Sequence, residues 1–161
     1  MYEMLSQGVN KVMECYGVKS KEKVLIIVDT STPPSIGKSL FEAAKNLGCE
    51  VIIITMLPRT RHGEEIPLPI AEAMKNSDVV IAPTTFSLTH TQARINACKA
   101  GARVASMPGI TEQMMAAGGM TADYNKINET AISLSFISIL IKSIQKQIQK
   151  ISIITSKSFH K

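Results

Sequence analysis

At 161 residues and 45% hydrophobic content, the chain is long enough to bury the core of one domain, and it holds no run of about 18 or more uncharged apolar residues that would span a membrane. The formal net charge of +5 sits in the tail: five lysines and no acid lie from Thr130 onward, leaving 13 basic and 13 acidic groups in the first 129 residues. With 4% aromatics and no tryptophan, the folded part lacks the basic, stacking surface that nucleic-acid binding requires.

The N-terminal stretch "MYEMLSQGVNKVMECYG" carries Glu3 and Glu14 and no unbroken apolar core, so it does not read as a signal peptide, and a cytoplasmic protein is expected. Met4, Leu5, Val9, Val12, Met13 and Tyr16 recur at helical spacing and predict a helix over 3–16 that ends at Gly17. "KVLIIVD", 23–29, is a continuous apolar run of the kind buried on both faces of a parallel sheet. "TSTPPS" predicts a turn into a helix that runs to Leu47, with Ile36, Leu40, Phe41 and Ala44 inward and Gly48 closing it.

The unit then repeats. "EVIIITML", 50–57, predicts a second buried strand, followed by the polar loop "PRTRHGEEIP" and a helix over "LPIAEAMKNS". "DVVIAP", 78–83, predicts a third strand, and after the loop "TTFSLTHT" comes a helix over "QARINACKAG". "ARVASMPG" predicts a fourth strand, and "TEQMMAAG" a short helix. Strands alternating with amphipathic helices predict an α/β fold, a Rossmann-like three-layer sandwich with a mainly parallel sheet and right-handed crossovers. The composition changes after Ala131, so 1–130 is expected as the α/β domain and 131–161 as a helix plus strand opening a following unit. There Ile137, Ile141, Ile144, Ile148 and Ile151 form a helical stripe, and "KISIITS" alternates like a strand. Cys15, Cys49 and Cys98 form no CxxC motif and are expected as buried free thiols.

In an open α/β sheet, ligands bind beyond the C-terminal ends of the strands. The loops "DTSTPPS", "PRTRHGEE", "PTTFSLTHT" and "MPGITEQ" fall there. The cleft or interface candidates are Arg59, Arg61, His62, Glu64, Thr85, Ser87 and His90. Thr89 and Gln92 fit a capping box, which predicts Thr89 as N-cap and places His90 in the first helical turn, with Thr84, Thr85, Ser87 and Thr91 satisfying loop amides. His62 beside Glu64 and Glu65 is a possible metal set, but adjacent carboxylates rarely converge on one ion and Arg59 and Arg61 oppose a cation; no metal site is expected in this chain. A nucleophile and base could be drawn from Ser87 or Thr91 with His90, without a clear orienting acid. No GxGxxG, GxxxxGK[ST], HExxH or GxSxG motif is present.

The blocks "LFEAAKNLGCEVIIITMLPRTRHGEEIP", "SLTHTQARINACKAGARVASMPGIT" and "MTADYNKI" resemble the N-terminal domain of the aminopeptidase T/S-like metallopeptidases, over roughly residues 1–130 with a weaker continuation to about Thr155. That resemblance implies a cytoplasmic enzyme family that releases N-terminal amino acids from peptides with a two-metal site. A relative in the same group cleaves a dihydroxypyridine ring with iron. In both, the His, Asp and Glu ligands lie in the C-terminal half, so no catalytic or metal residue carries over. The expectation is a truncated N-terminal domain, inactive alone, meeting peptide only through a catalytic domain. A homo-oligomer is possible, and neither nucleic acid nor membrane is a partner. The alternative is an autonomous small-molecule-binding or protein-interaction module using the strand-end crevice.

Overall fold

A computed structural model describes residues 2–117. The chain divides at Thr121/Ala122 into two units, and the described residues lie in the first. The expected isoleucine stripe and the "KISIITS" strand lie outside the described residues.

Helix α1 (Tyr2–Cys15) opens the chain and is followed by β1 (Lys23–Asp29), α2 (Pro34–Asn46) and β2 (Glu50–Met56). Then come α3 (Leu68–Lys75), β3 (Val79–Ala82), α4 (Gln92–Lys99), β4 (Arg103–Ser106) and α5 (Glu112–Ala116). All strand pairs are parallel, in the order β2-β1-β3-β4. The α/β sandwich with a parallel sheet is therefore as the alternation predicts.

Alternation along β1 divides the core into two layers. Val24, Ile26 and Val28 face α1, α2 and α5, where they meet Leu5, Val9, Val12, Ile36, Leu40 and Met115. Leu25 and Ile27 face the other side and meet Ile70 and Met74 of α3 and Ala93 and Ala97 of α4. Burying each of the Val, Leu, Ile and Met side chains contributes roughly 1.5–3 kcal/mol. Two glycines let helices come close. A Cβ on Gly8 would sit 2.1 Å from the Met115 carbonyl oxygen, so α1 lies directly against the backbone of α5. A Cβ on Gly37 would meet Val28 Cγ1 at 2.9 Å and Ile53 Cδ1 at 3.0 Å, so α2 lies low on the sheet.

Two expectations are corrected. The strand over 50–57 was expected to be buried on both faces. Instead β2 is an edge strand, with Ile52 56% and Ile53 41% exposed. The chain crosses from β1 to one side to form β2, then returns to β1's other side for β3, so among the described residues β2 has a neighbour on one side only. The cysteines are free, but Cys15 and Cys98 are exposed rather than buried. Only Cys49 is half-buried; burial, with the nearby Glu22 carboxylate, pushes its thiol up from the ordinary value.

Candidate functional site

The strand order reverses at β1, which puts the topological switch between the ends of β1 and β3. The residue that closes this point is Asp29, the last of β1, which is 2% exposed. Its carboxylate gathers donors from two loops. Oδ1 accepts from the Ser31 N–H at 3.1 Å, the Thr32 N–H at 3.0 Å and the Thr85 hydroxyl at 2.9 Å. Oδ2 accepts from the Thr85 N–H at 2.6 Å. The Thr32 hydroxyl lies 3.0 Å from Oδ1 and 2.8 Å from the Pro83 carbonyl, and its single proton serves one of the two at a time. Burial alone would raise the Asp29 pKa. The bonds from Thr85, Thr32 and Ser31 outweigh it and hold the carboxyl below its ordinary value.

The loop between β2 and α3 is tied to the loop after β3 in the same way. His62 Nδ1 accepts from the Ser87 N–H at 2.9 Å, and its ring meets Phe86 edge-on at 5.2 Å. Accepting through Nδ1 requires that this nitrogen carry no proton. The Gly63 N–H donates to the Ser87 carbonyl at 2.9 Å. Glu64 turns inward on its own loop and accepts from the Thr60 N–H and hydroxyl at 2.6 and 2.7 Å, which depress its pKa, with Arg59 at 3.8 Å adding to the effect. Arg59 also donates to the Leu57 carbonyl. Glu65 accepts from the Gln92 and Ala93 N–H groups, placing a carboxylate at the positive end of α4.

Thr89 is not the N-cap of α4. Thr91 is: fully buried, it accepts from the Arg94 N–H at 3.2 Å while its hydroxyl donates to the Leu88 carbonyl. The Leu88 carbonyl also takes the Thr91 N–H, so a turn over 88–91 delays the helix by two residues. Thr89 instead accepts from the Ser87 hydroxyl at 2.8 Å, and exposed His90 precedes the cap rather than occupying the first turn. Gln92, the expected reciprocal partner, donates instead to Asn96 Oδ1 at 2.8 Å, and Glu65 from another loop takes the free N–H groups of Gln92 and Ala93. Replacing Thr91 by Ala should lower stability by about 0.5–2 kcal/mol, while Thr89→Ala should change the urea midpoint little. Equal losses for the two variants would contradict this assignment.

Of the predicted residues, His62, Thr85 and Ser87 are joined by bonds between loops, and Arg59 and Glu64 pair within one loop. Arg61 and His90 are exposed. Among the described residues no three His, Cys, Asp or Glu side chains converge. Asp29, the centre of the site, was not among the candidates. Its only sequence signal is an Asp at a strand end followed by Ser and Thr two and three residues on, an Asx-turn pattern.

No protein-family model matches the sequence, and no curated protein is similar to it. One solved structure is. The chain is similar in fold to 2,5-dihydroxypyridine dioxygenase from Pseudomonas putida KT2440, with a TM-score of 0.54 at 18% identity. The match covers 65% of this chain and 33% of that one, so the chain spans only part of the dioxygenase's length. At that identity the likeness carries the α/β architecture and no chemistry.

Proposed function

We propose that this chain serves as the N-terminal α/β wall of an aminopeptidase T-like metallopeptidase cleft, a supporting domain without catalytic groups of its own. One observation carries the reading: the acidic side chains and His62 at the sheet's C-terminal edge are spent on other groups of the protein. Asp29 holds two loops, Glu65 caps a helix, Glu64 turns onto Thr60, and His62 takes an amide. A hydrolytic centre needs lone pairs and protons left free for metal or substrate. His62, Glu64 and Glu65 do not fit a divalent metal as a set: both Glu65 oxygens, Glu64 Oε2 and His62 Nδ1 already hold donors, Arg59 stands beside Glu64, and the three side chains do not converge. What the edge offers a neighbouring domain is a fixed shape: three loops bonded to each other, with Arg61 and His90 on the rim.

The test is hydrolysis of leucyl-p-nitroanilide by the purified chain with added cobalt or zinc. No turnover above the metal blank is expected. Turnover that survives repurification and vanishes with chelator would contradict the reading.

A further inference from the structure

Beside the Asp29 knot, on the face covered by α2, lies a cavity of about 320 Å³. This is at the small end of the range for ligand pockets, and it opens where the strands end, the usual ligand position in an open α/β sheet. Val28, Ile53 and the half-buried Phe41 give it apolar walls. Gly37 shapes it: without a Cβ, α2 sits against Val28 and Ile53 and its backbone becomes part of the wall. The polar groups divide into two sets. Asp29 and Thr32 line the cavity but are committed to the loops. Lys38, Thr30 and Thr55 also line it, and among the described residues no hydrogen bond or ion pair engages the Lys38 ammonium or either hydroxyl.

We infer that this cavity binds a small apolar carboxylate, its hydrocarbon part between Val28, Phe41 and Ile53 and its carboxyl on Lys38 with the Thr30 and Thr55 hydroxyls. The walls of Val28, Phe41 and Ile53 favour a hydrocarbon body over a sugar ring, whose hydroxyls would lie unpaired against them. A single cation with two neutral donors matches one carboxylate rather than a polyanion. The site is independent of the wall reading, since it needs only this chain.

The probe is phenylacetate, titrated into the ¹⁵N-labelled full chain while following the Gly37 and Thr55 amides. Saturable shifts of both are expected at about millimolar concentration, the affinity a ligand of this size can reach. Phenylacetamide, the same shape without charge, should bind roughly tenfold more weakly, the loss of one charge-assisted hydrogen bond. Lys38 is exposed, so Lys38→Glu should leave the spectrum of the folded chain intact and abolish the phenylacetate shifts. The inference is overturned if phenylacetate leaves both amides unmoved at about 10 mM, well above that expected affinity. It is equally overturned if the amide binds as well as the acid, or if Lys38→Glu binds unchanged.

Discussion

Replacing Asp29 by Ala is expected to cost about 2–4 kcal/mol, among the largest losses for any substitution outside the hydrocarbon core. The change strands the Thr85 N–H, which has lost its carboxylate at 2.6 Å, and takes the acceptor of the Ser31 N–H, whereas the Thr32 N–H keeps the backbone carbonyl of residue 29 and the Thr32 hydroxyl keeps Pro83. A buried donor without a partner keeps its full desolvation cost. Asp29→Asn should recover part of the loss, because its carbonyl can replace one oxygen while its amide faces donors. The same group sets an acid limit. Its folded pKa is depressed, so its contribution is complete above the unfolded value, near the ordinary 3.8, and is lost as the pH falls through the lower folded value. The gap between the urea midpoints of wild type and Asp29→Ala should therefore be widest at neutral pH and narrow as the pH falls below the ordinary 3.8. A constant gap down to the most acid point would show that the charge contributes nothing.

Gly8→Ala is the second large effect, and its sign runs against helix propensity. On an exposed helix the substitution would gain about 1 kcal/mol. Here the new methyl would stand 2.1 Å from the Met115 carbonyl oxygen, a backbone atom that cannot swing away. Either α5 lifts off, exposing fully buried Met115, or α1 shifts and disturbs Leu5, Val9 and Val12. A net loss of about 1–3 kcal/mol is expected, the ordinary cost of overpacking. Thermal unfolding checks it, with Gly17→Ala as a comparison: no atom stands within 4 Å of a Cβ there, so only the strained φ of +56° contributes. If Gly8→Ala raises the melting temperature, the close approach of α1 to α5 is wrong.

What the sequence discloses here is local, and what it hides is long-range. The apolar run of β1 and the stripe Ile36, Leu40 and Ala44 of α2 depend on spacing within one segment, and both hold in the fold. The exposure of Ile52 and Ile53 does not depend on their own segment. A run of β-branched residues reads the same at the edge of a sheet as at its centre, and only the order of all four strands decides between them. The α4 cap shows the same limit at smaller scale. Thr89 satisfies the short capping-box pattern and Thr91 does not, yet Thr91 is the cap, a choice that rests on the turn at Leu88 and on Glu65, 27 residues upstream of Gln92. Asp29 is the extreme case. Its local half, the turn over Ser31 and Thr32, is readable, but its partner Thr85 is 56 residues away.

The central claim is that the strand-end edge is a finished structural knot rather than an acid or base held ready for chemistry. The ionisation of Asp29 separates these directly, because a carboxyl poised for proton transfer has its pKa raised toward the working pH, whereas one fixed by donors has it lowered. Titration of the Asp29 side-chain ¹³C carboxyl resonance in the intact chain is the measurement. The account predicts a midpoint below the ordinary 3.8, and a midpoint well above that value would contradict it.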